Sequence, residues 1–263
     1  AGTGVVLLDD VTGVANNKAL VINADYETAG DGTLTVWTGK TITSNKSDVT
    51  ITAWDLDMAG SLTAGTKTIN VHGAKVAQTV GLGGTSKDLT LDGGELQRLA
   101  ATSGVIWGST SGGSITVNGV TQANSDNLLP LVTLIAAQDD AQVVFDIASS
   151  TFYAVEAQAD NGVVIGANLN TDTGSMYLDG DSDDDATGDS TNTVGFTDGA
   201  LVTAKILMTL EATTGSLVPA GELSLRAGAG VVVLDDMTAA ASNKPLVIDA
   251  DYESEGDGTL TVQ

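Results

Sequence analysis

The densest set of chemically capable side chains in the 263-residue sequence is one acidic run, Asp179-Gly180-Asp181-Ser182-Asp183-Asp184-Asp185, followed by Asp189. Carboxylates at alternating positions of a Gly/Ser loop can converge on one hard cation, and Ca²⁺ takes oxygen ligands at about 2.4 Å. Asp179, Asp181, Asp183, Asp185 and Asp189 are therefore the candidate calcium ligands. The D-x-D-x-D spacing matches the opening of an EF-hand loop. The sixth position, however, is Asp184 instead of Gly, and the twelfth is Ser190 instead of Glu. The competing reading is a solvated acidic loop between strands. A second acidic turn occurs twice, as Asp25, Glu27 and Asp31 and again as Asp251, Glu253 and Asp257. Both copies end in Gly-Asp-Gly, which is ordinary turn chemistry, although stacked copies could also share cations.

Little else in the chain suggests catalysis. His72 is the single histidine and there is no cysteine, so thiol chemistry, disulfides and a typical zinc site are excluded. No nucleophile elbow, P-loop or dinucleotide fingerprint occurs; Gly81-Leu82-Gly83-Gly84-Thr85-Ser86-Lys87 lacks the phosphate-loop spacing. Acidic pairs are plentiful enough for a polysaccharide-active enzyme, but aromatic sugar platforms are scarce, because aromatics make up 4% of the chain. Asn45-Lys46-Ser47 is a glycosylation sequon, which marks Asn45 as a candidate glycan site in a secreted protein. The net charge of −24 repels nucleic-acid backbones and anionic membranes, so neither is an expected partner. No apolar run is long enough to span a bilayer.

The elements that must position these groups are short strands. The core has to be aliphatic, and 32 Gly with only 3 Pro favours many tight turns over long helices. Bursts such as Thr33-Leu34-Thr35-Val36 and Ser114-Ile115-Thr116-Val117 alternate apolar with Thr or Ser, the period-two pattern of a strand with one buried face. Spaced by roughly 14 residues, such bursts predict an all-β fold. Residues 94–103 (GELQRLAATS) are the best candidate for a helical turn. Leu128-Leu129-Pro130-Leu131 is the one stretch that offers an internal boundary.

Residues 227–263 repeat residues 1–37 at an offset of 226 without a gap; 11 of the 37 aligned positions differ, leaving 26 identical. The chain thus reads as one module, 1–226, and the start of a second, 227–263, in a longer repetitive protein. Two architectures fit. The favoured one is a right-handed parallel β-helix, a β-solenoid in which each coil covers the open edge of the last; the runner-up is a string of antiparallel β-sandwiches. The rhythm gives about sixteen strands per module, and with about three strands per coil the 263 residues are predicted to hold about six coils and about 30 Å of axis. The expected inward-facing residues are Val5, Leu8, Leu20, Ile22, Leu34 and Val36, with their repeat equivalents Val231, Leu234, Leu246, Ile248, Leu260 and Val262.

Residues 47–75 (SDVTITAWDLDMAGSLTAGTKTINVHGAK), 81–99 (GLGGTSKDLTLDGGELQRL) and 111–120 (SGGSITVNGV) resemble repeats of very long β-strand-repeat, filamentous-haemagglutinin-like surface proteins. They are also similar to repeats in giant secreted proteins of algae and other protists, where hair-like, mastigoneme-type appendages are a home for such chains. The resemblance implies parallel β-helical shafts, used in adhesion or as cell-surface fibres, with no catalytic motif. The function expected from all this is a non-enzymatic structural repeat of an extracellular filament, its partners being copies of itself or adjoining repeats. The alternative is an adhesin or glycan-binding module that meets a cell-surface ligand through longer turns around residues 73–88 and 179–192.

Overall fold

A computed structural model describes residues 1–14 and 18–263. The strands form a parallel β-helix of ten coils, and every ladder between described strands is parallel. Antiparallel sandwiches are thereby ruled out. Parallel neighbours need a long crossover between them. Here each coil supplies its own crossover by running round two other faces before it returns.

One face is an unbroken sheet of ten strands, which run from Leu20–Asn23, Val49–Ala53 and Ile69–Gly73 through Leu207–Glu211, Gly230–Val233 and Thr259–Val262. We call this the third face. In each coil it follows a first face, which begins at Gly4–Leu7 and Thr33–Val36, and a second face, which begins at Val11–Thr12 and Thr41–Thr43. Ten rungs about 4.8 Å apart make a stack about 43 Å long. The predicted six coils are an undercount. The third-face register runs Leu20, Val49, Ile69, Val105, Val132, so a coil takes between 20 and 36 residues there. Three strands fit in that length because many are only three to five residues long, such as Leu89–Leu91 and Ser150–Phe152. Bursts that short have too few alternations to stand out in the sequence.

Inward positions alternate with outward ones along nearly every inner strand. Val49–Ala53 and Val132–Ala136, for example, bury every other side chain. The interior is one continuous ladder of aliphatics, widened at Trp107, Phe145 and Phe152, all buried. Of the predicted inward residues, Leu34, Val36 and Val231 are fully buried, while Val5, Leu20, Ile22 and Ile248 pack partly buried against the core. Leu8 is a correction. Register pairs Leu7 with Val36, so Leu7 faces inward and Leu8, 61% exposed, begins the corner. Its equivalent Leu234 is likewise only half-buried, while Val233 is buried. Leu246, Leu260 and Val262 are 49%, 47% and 67% exposed, yet they stack on the buried Leu223, Val231 and Val233. They point along the inward face of the tenth coil and lack only a coil above them.

Two coils depart from the plain pattern. In the fourth, the first face holds two strands, Val80–Gly83 and Leu89–Leu91, so the stretch 73–88 expected as a long turn contains a wholly buried strand. The predicted helical turn is there but is short. It covers Gly93–Leu96, capped by Asp92 and Glu95 in a reciprocal capping box, and the chain re-enters the second face as Leu99–Ala101. In the fifth coil, the helical turn Gln122–Ser125 and a bridge from Leu128 to Ala101 stand in for a second-face strand. The sheet of the second face breaks here, beside Pro130, while that of the third face runs through, so the Pro-containing stretch is a detour within one stack.

The second copy of the long repeat does not return to the face of the first. Gly4–Leu7 lies on the first face of coil 1, whereas its equivalent Gly230–Val233 lies on the third face of coil 9. Thr33–Val36 lies on the first face and Thr259–Val262 on the third; Leu20–Asn23 lies on the third face and Leu246–Asp249 on the second. The 226 residues therefore wind through eight coils and two further faces, or 8 × 3 + 2 = 26 face positions, one short of nine full coils.

Candidate functional site

The acidic run lies at the corner where the chain leaves the third face for the first. Corners of successive coils stack as the strands do, so residues 137–142, 160–162 and 180–192 lie beside one another at the ends of Val132–Ala136, Val155–Ala159 and Met176–Asp179. The last and longest of them is clamped on both sides. Ser182 N–H donates to the Ala159 carbonyl at 2.9 Å, and Gly180 N–H donates to the Glu211 carbonyl at 3.0 Å.

The five predicted ligands separate within this corner. Asp181 is fully buried and serves the fold: its carboxylate accepts from Asn192 Nδ2 at 3.2 Å and from the backbone N–H of Thr214 in the next coil. Asn192 Nδ2 also lies 2.8 Å from Thr214 Oγ1, a second side-chain tie between the two corners. Asp179, also buried, accepts from Asp181 N–H at 3.1 Å and faces Tyr177 Oη at 3.2 Å. Asp183 and Asp185 are exposed and accept from the backbone N–H groups of Asp185 and Thr187, turning the loop. The hydrogen bonds from Thr187 hold the Asp185 carboxyl below its usual range.

Only Asp189 joins a multi-carboxylate cluster, and its companions are two residues the sequence did not single out. Asp139, Asp160 and Asp189 each place a carboxylate oxygen within 4.8 Å of the others. Asp160 is buried and accepts from Asp140 N–H at 2.9 Å; one Asp189 oxygen is buried without a hydrogen-bond partner. Loss of water pushes the Asp160 carboxyl up to about 6, and the hydrogen bond and charge of Asp189 add to this. A shared proton or a cation would relieve the repulsion among these groups, and three carboxylates offer at most six of the six to eight oxygens Ca²⁺ takes. The signal that could have found the cluster is positional. Asp139 and Asp160 lie in the corners that follow consecutive third-face strands, one coil apart, which becomes visible only once the coil register is known.

A second polar set lies on the outer side of the third face. Asp179 and Glu211 are register neighbours on adjacent strands. Tyr177 Oη lies 2.5 Å from Glu211 Oε2 and 3.2 Å from Asp179 Oδ2. The phenol has one proton for two carboxylates. Burial, then the charge of Glu211, pushes Asp179 up to about 6 against the opposing pull of its hydrogen bonds, and burial beside these acids raises the Tyr177 hydroxyl strongly.

His72 and the Asn45 sequon lie away from these carboxylates. His72 bridges two coils, with Nε2 3.2 Å from Thr52 Oγ1 and Nδ1 3.1 Å from the Gly73 carbonyl. Asn45 is half-exposed in a left-handed turn (φ 56°). Ser47 of its sequon is fully buried, its hydroxyl accepting from Lys18 N–H at 3.0 Å. The chain matches no protein-family model, no curated protein and no solved structure.

Proposed function

We propose that this chain is a non-catalytic structural repeat of an extracellular filament or cell-surface fibre, its function being to extend a shaft. The observation that carries this reading is that the second copy of the repeat begins inside the same stack. Gly230–Val233, Leu246–Asp249 and Thr259–Val262 continue the parallel ladders of the coils before them, with no linker and no break in register. Modules separated into beads would each need their own capped core, since terminal coils of a solenoid otherwise expose theirs. Here one core runs across the junction. Axial load is carried at every rung by the backbone hydrogen bonds of the unbroken third-face sheet, joined by those of the other two faces where their sheets run, and the net charge of −24 opposes lateral clumping of shafts. The repeat style of large secreted surface proteins and the absence of cysteine agree with this setting.

The test is a protein in which residues 38–263 are repeated after Gln263, viewed by electron microscopy and small-angle scattering. A rod that lengthens by about 42 Å per added module, or 26/3 rungs of about 4.8 Å, supports the shaft. Flexibly joined particles of constant size would refute it. A glycan array on the same protein separates the adhesin alternative, which requires saturable binding that is lost when the exposed segment 183–188 is replaced.

A further inference from the structure

The two copies of the repeat offer a comparison that the chain makes with itself: one sequence, placed at two corners of the coil. At the corner between the third and first faces, Asp25 accepts from the N–H groups of Ala29 (3.1 Å) and Gly30 (2.8 Å). At the corner between the second and third faces, Asp251 accepts from Glu255 (3.1 Å) and Gly256 (3.0 Å). Thr28 and Ser254 both take positive φ, at 56° and 60°, as do Gly30 and Gly256, at 87° and 83°. Tyr26 N–H donates to the Ala1 carbonyl, and Tyr252 N–H to that of Ala227, the equivalent of Ala1. The turn thus folds alike at two different corners, so its shape is set by its own sequence and not by the face it leaves.

What covers this sequence is also visible once. In coil 2, Leu34 and Val36 are fully buried because Asp55–Met58 lies over them, pairing Leu34 with Leu56 and Val36 with Met58. Their equivalents Leu260 and Val262 remain about half-exposed or more. Lys40 Nζ meets Asp9 at 2.9 Å and Thr41 N–H meets Asp10 at 2.8 Å. The equivalents of those two acids, Asp235 and Asp236, stand on the coil that ends with Leu260 and Val262.

We propose that the open edge of the tenth coil is a docking surface for a segment with the sequence character of residues 38–58, placed one face back from its position in the first module. Successive modules then turn about the shaft axis by one third of a revolution, and equivalent surface groups wind round the fibre in place of lining one side. Each module advances 26 face positions, so the same face recurs only after three modules, or 26 coils and about 125 Å. The long acidic loop 180–192 is therefore displayed on all three corners in turn. This inference rests on the shaft reading, and the experiment distinguishes the two.

A protein of residues 1–263 followed by two further copies of 38–263 is imaged by single-particle cryo-electron microscopy, and the three copies of loop 180–192 are located. Loops about 42 Å apart along the axis, each turned about 120° from the last beyond the ordinary twist of the stack, are the expected result. A single continuous rod with all three loops on one side overturns the rotation and leaves the shaft intact. Separate particles, or a rod broken at each junction, overturn both.

Discussion

Replacing Asp179 by Asn should stabilise the protein at neutral pH and remove part of an unusual pH dependence. In the folded protein the Asp179 carboxyl is pushed up to about 6 from its ordinary 3.8. A carboxyl raised on folding disfavours the folded state when ionised. Its cost is fully present above the folded value, is relieved as pH falls through about 6, and is gone below 3.8. Moving from pH 7.5 to 5.0 should therefore stabilise the wild type by about 1.4 kcal/mol through this group alone, and by on the order of 1 kcal/mol once solvent at the rim screens the Glu211 charge. Structure explains why Asn should reproduce the acid form. Its amide oxygen can accept from Asp181 N–H, and its amide nitrogen can donate to Tyr177 Oη, freeing the phenol proton for Glu211. Urea unfolding followed by circular dichroism at pH 7.5 and 5.0, on wild type and variant, is the assay. The variant should unfold at higher urea than wild type at pH 7.5, and the gap should narrow by on the order of 1 kcal/mol at pH 5.0, closing only below pH 3.8. A variant less stable than wild type at both pH values would refute the hydrogen-bond assignment.

The other expectations are local. Asp181→Ala leaves the Thr214 N–H and the Asn192 amide without their buried acceptor; it should cost about 2–4 kcal/mol and raise hydrogen exchange across 180–192 and 212–215. Leu34→Ala should cost about 2–4 kcal/mol, whereas Leu260→Ala, at the same place in the repeat but 47% exposed, should cost less than about 1.5 kcal/mol by denaturant titration. Carbon-detected NMR should show Asp160 titrating with an apparent value near 6, and Asp189→Asn should lower it by removing the neighbouring charge; an unchanged value would separate the two carboxylates.

Much of the fold was legible because strand alternation is a local property. Leu34 and Val36 declare their inward side through Thr33 and Thr35. The number of coils was not legible, because three-residue strands such as Leu169–Thr171 carry a single alternation and look like turn. Leu7 and Leu8 are equally apolar, and only pairing with Val36 decides between them. The acidic loop was legible as a loop but not as a site. Asp181 uses its charge on a backbone amide from the next coil, while Asp139 and Asp160 reach Asp189 from coils 50 and 29 residues away in sequence. Convergence of this kind depends on stacking between coils, which a linear spacing within one loop does not contain.

The face mismatch of the repeat also has a genetic meaning. If every corner accepts the same turn, a duplicated stretch of gene need not encode whole coils to be tolerated; whole strands are enough. The 226-residue unit, which closes one face short of nine turns, is such a case. A shaft built on this rule can lengthen by unequal exchange at any strand boundary, with three times as many acceptable breakpoints as a solenoid whose sides are chemically distinct.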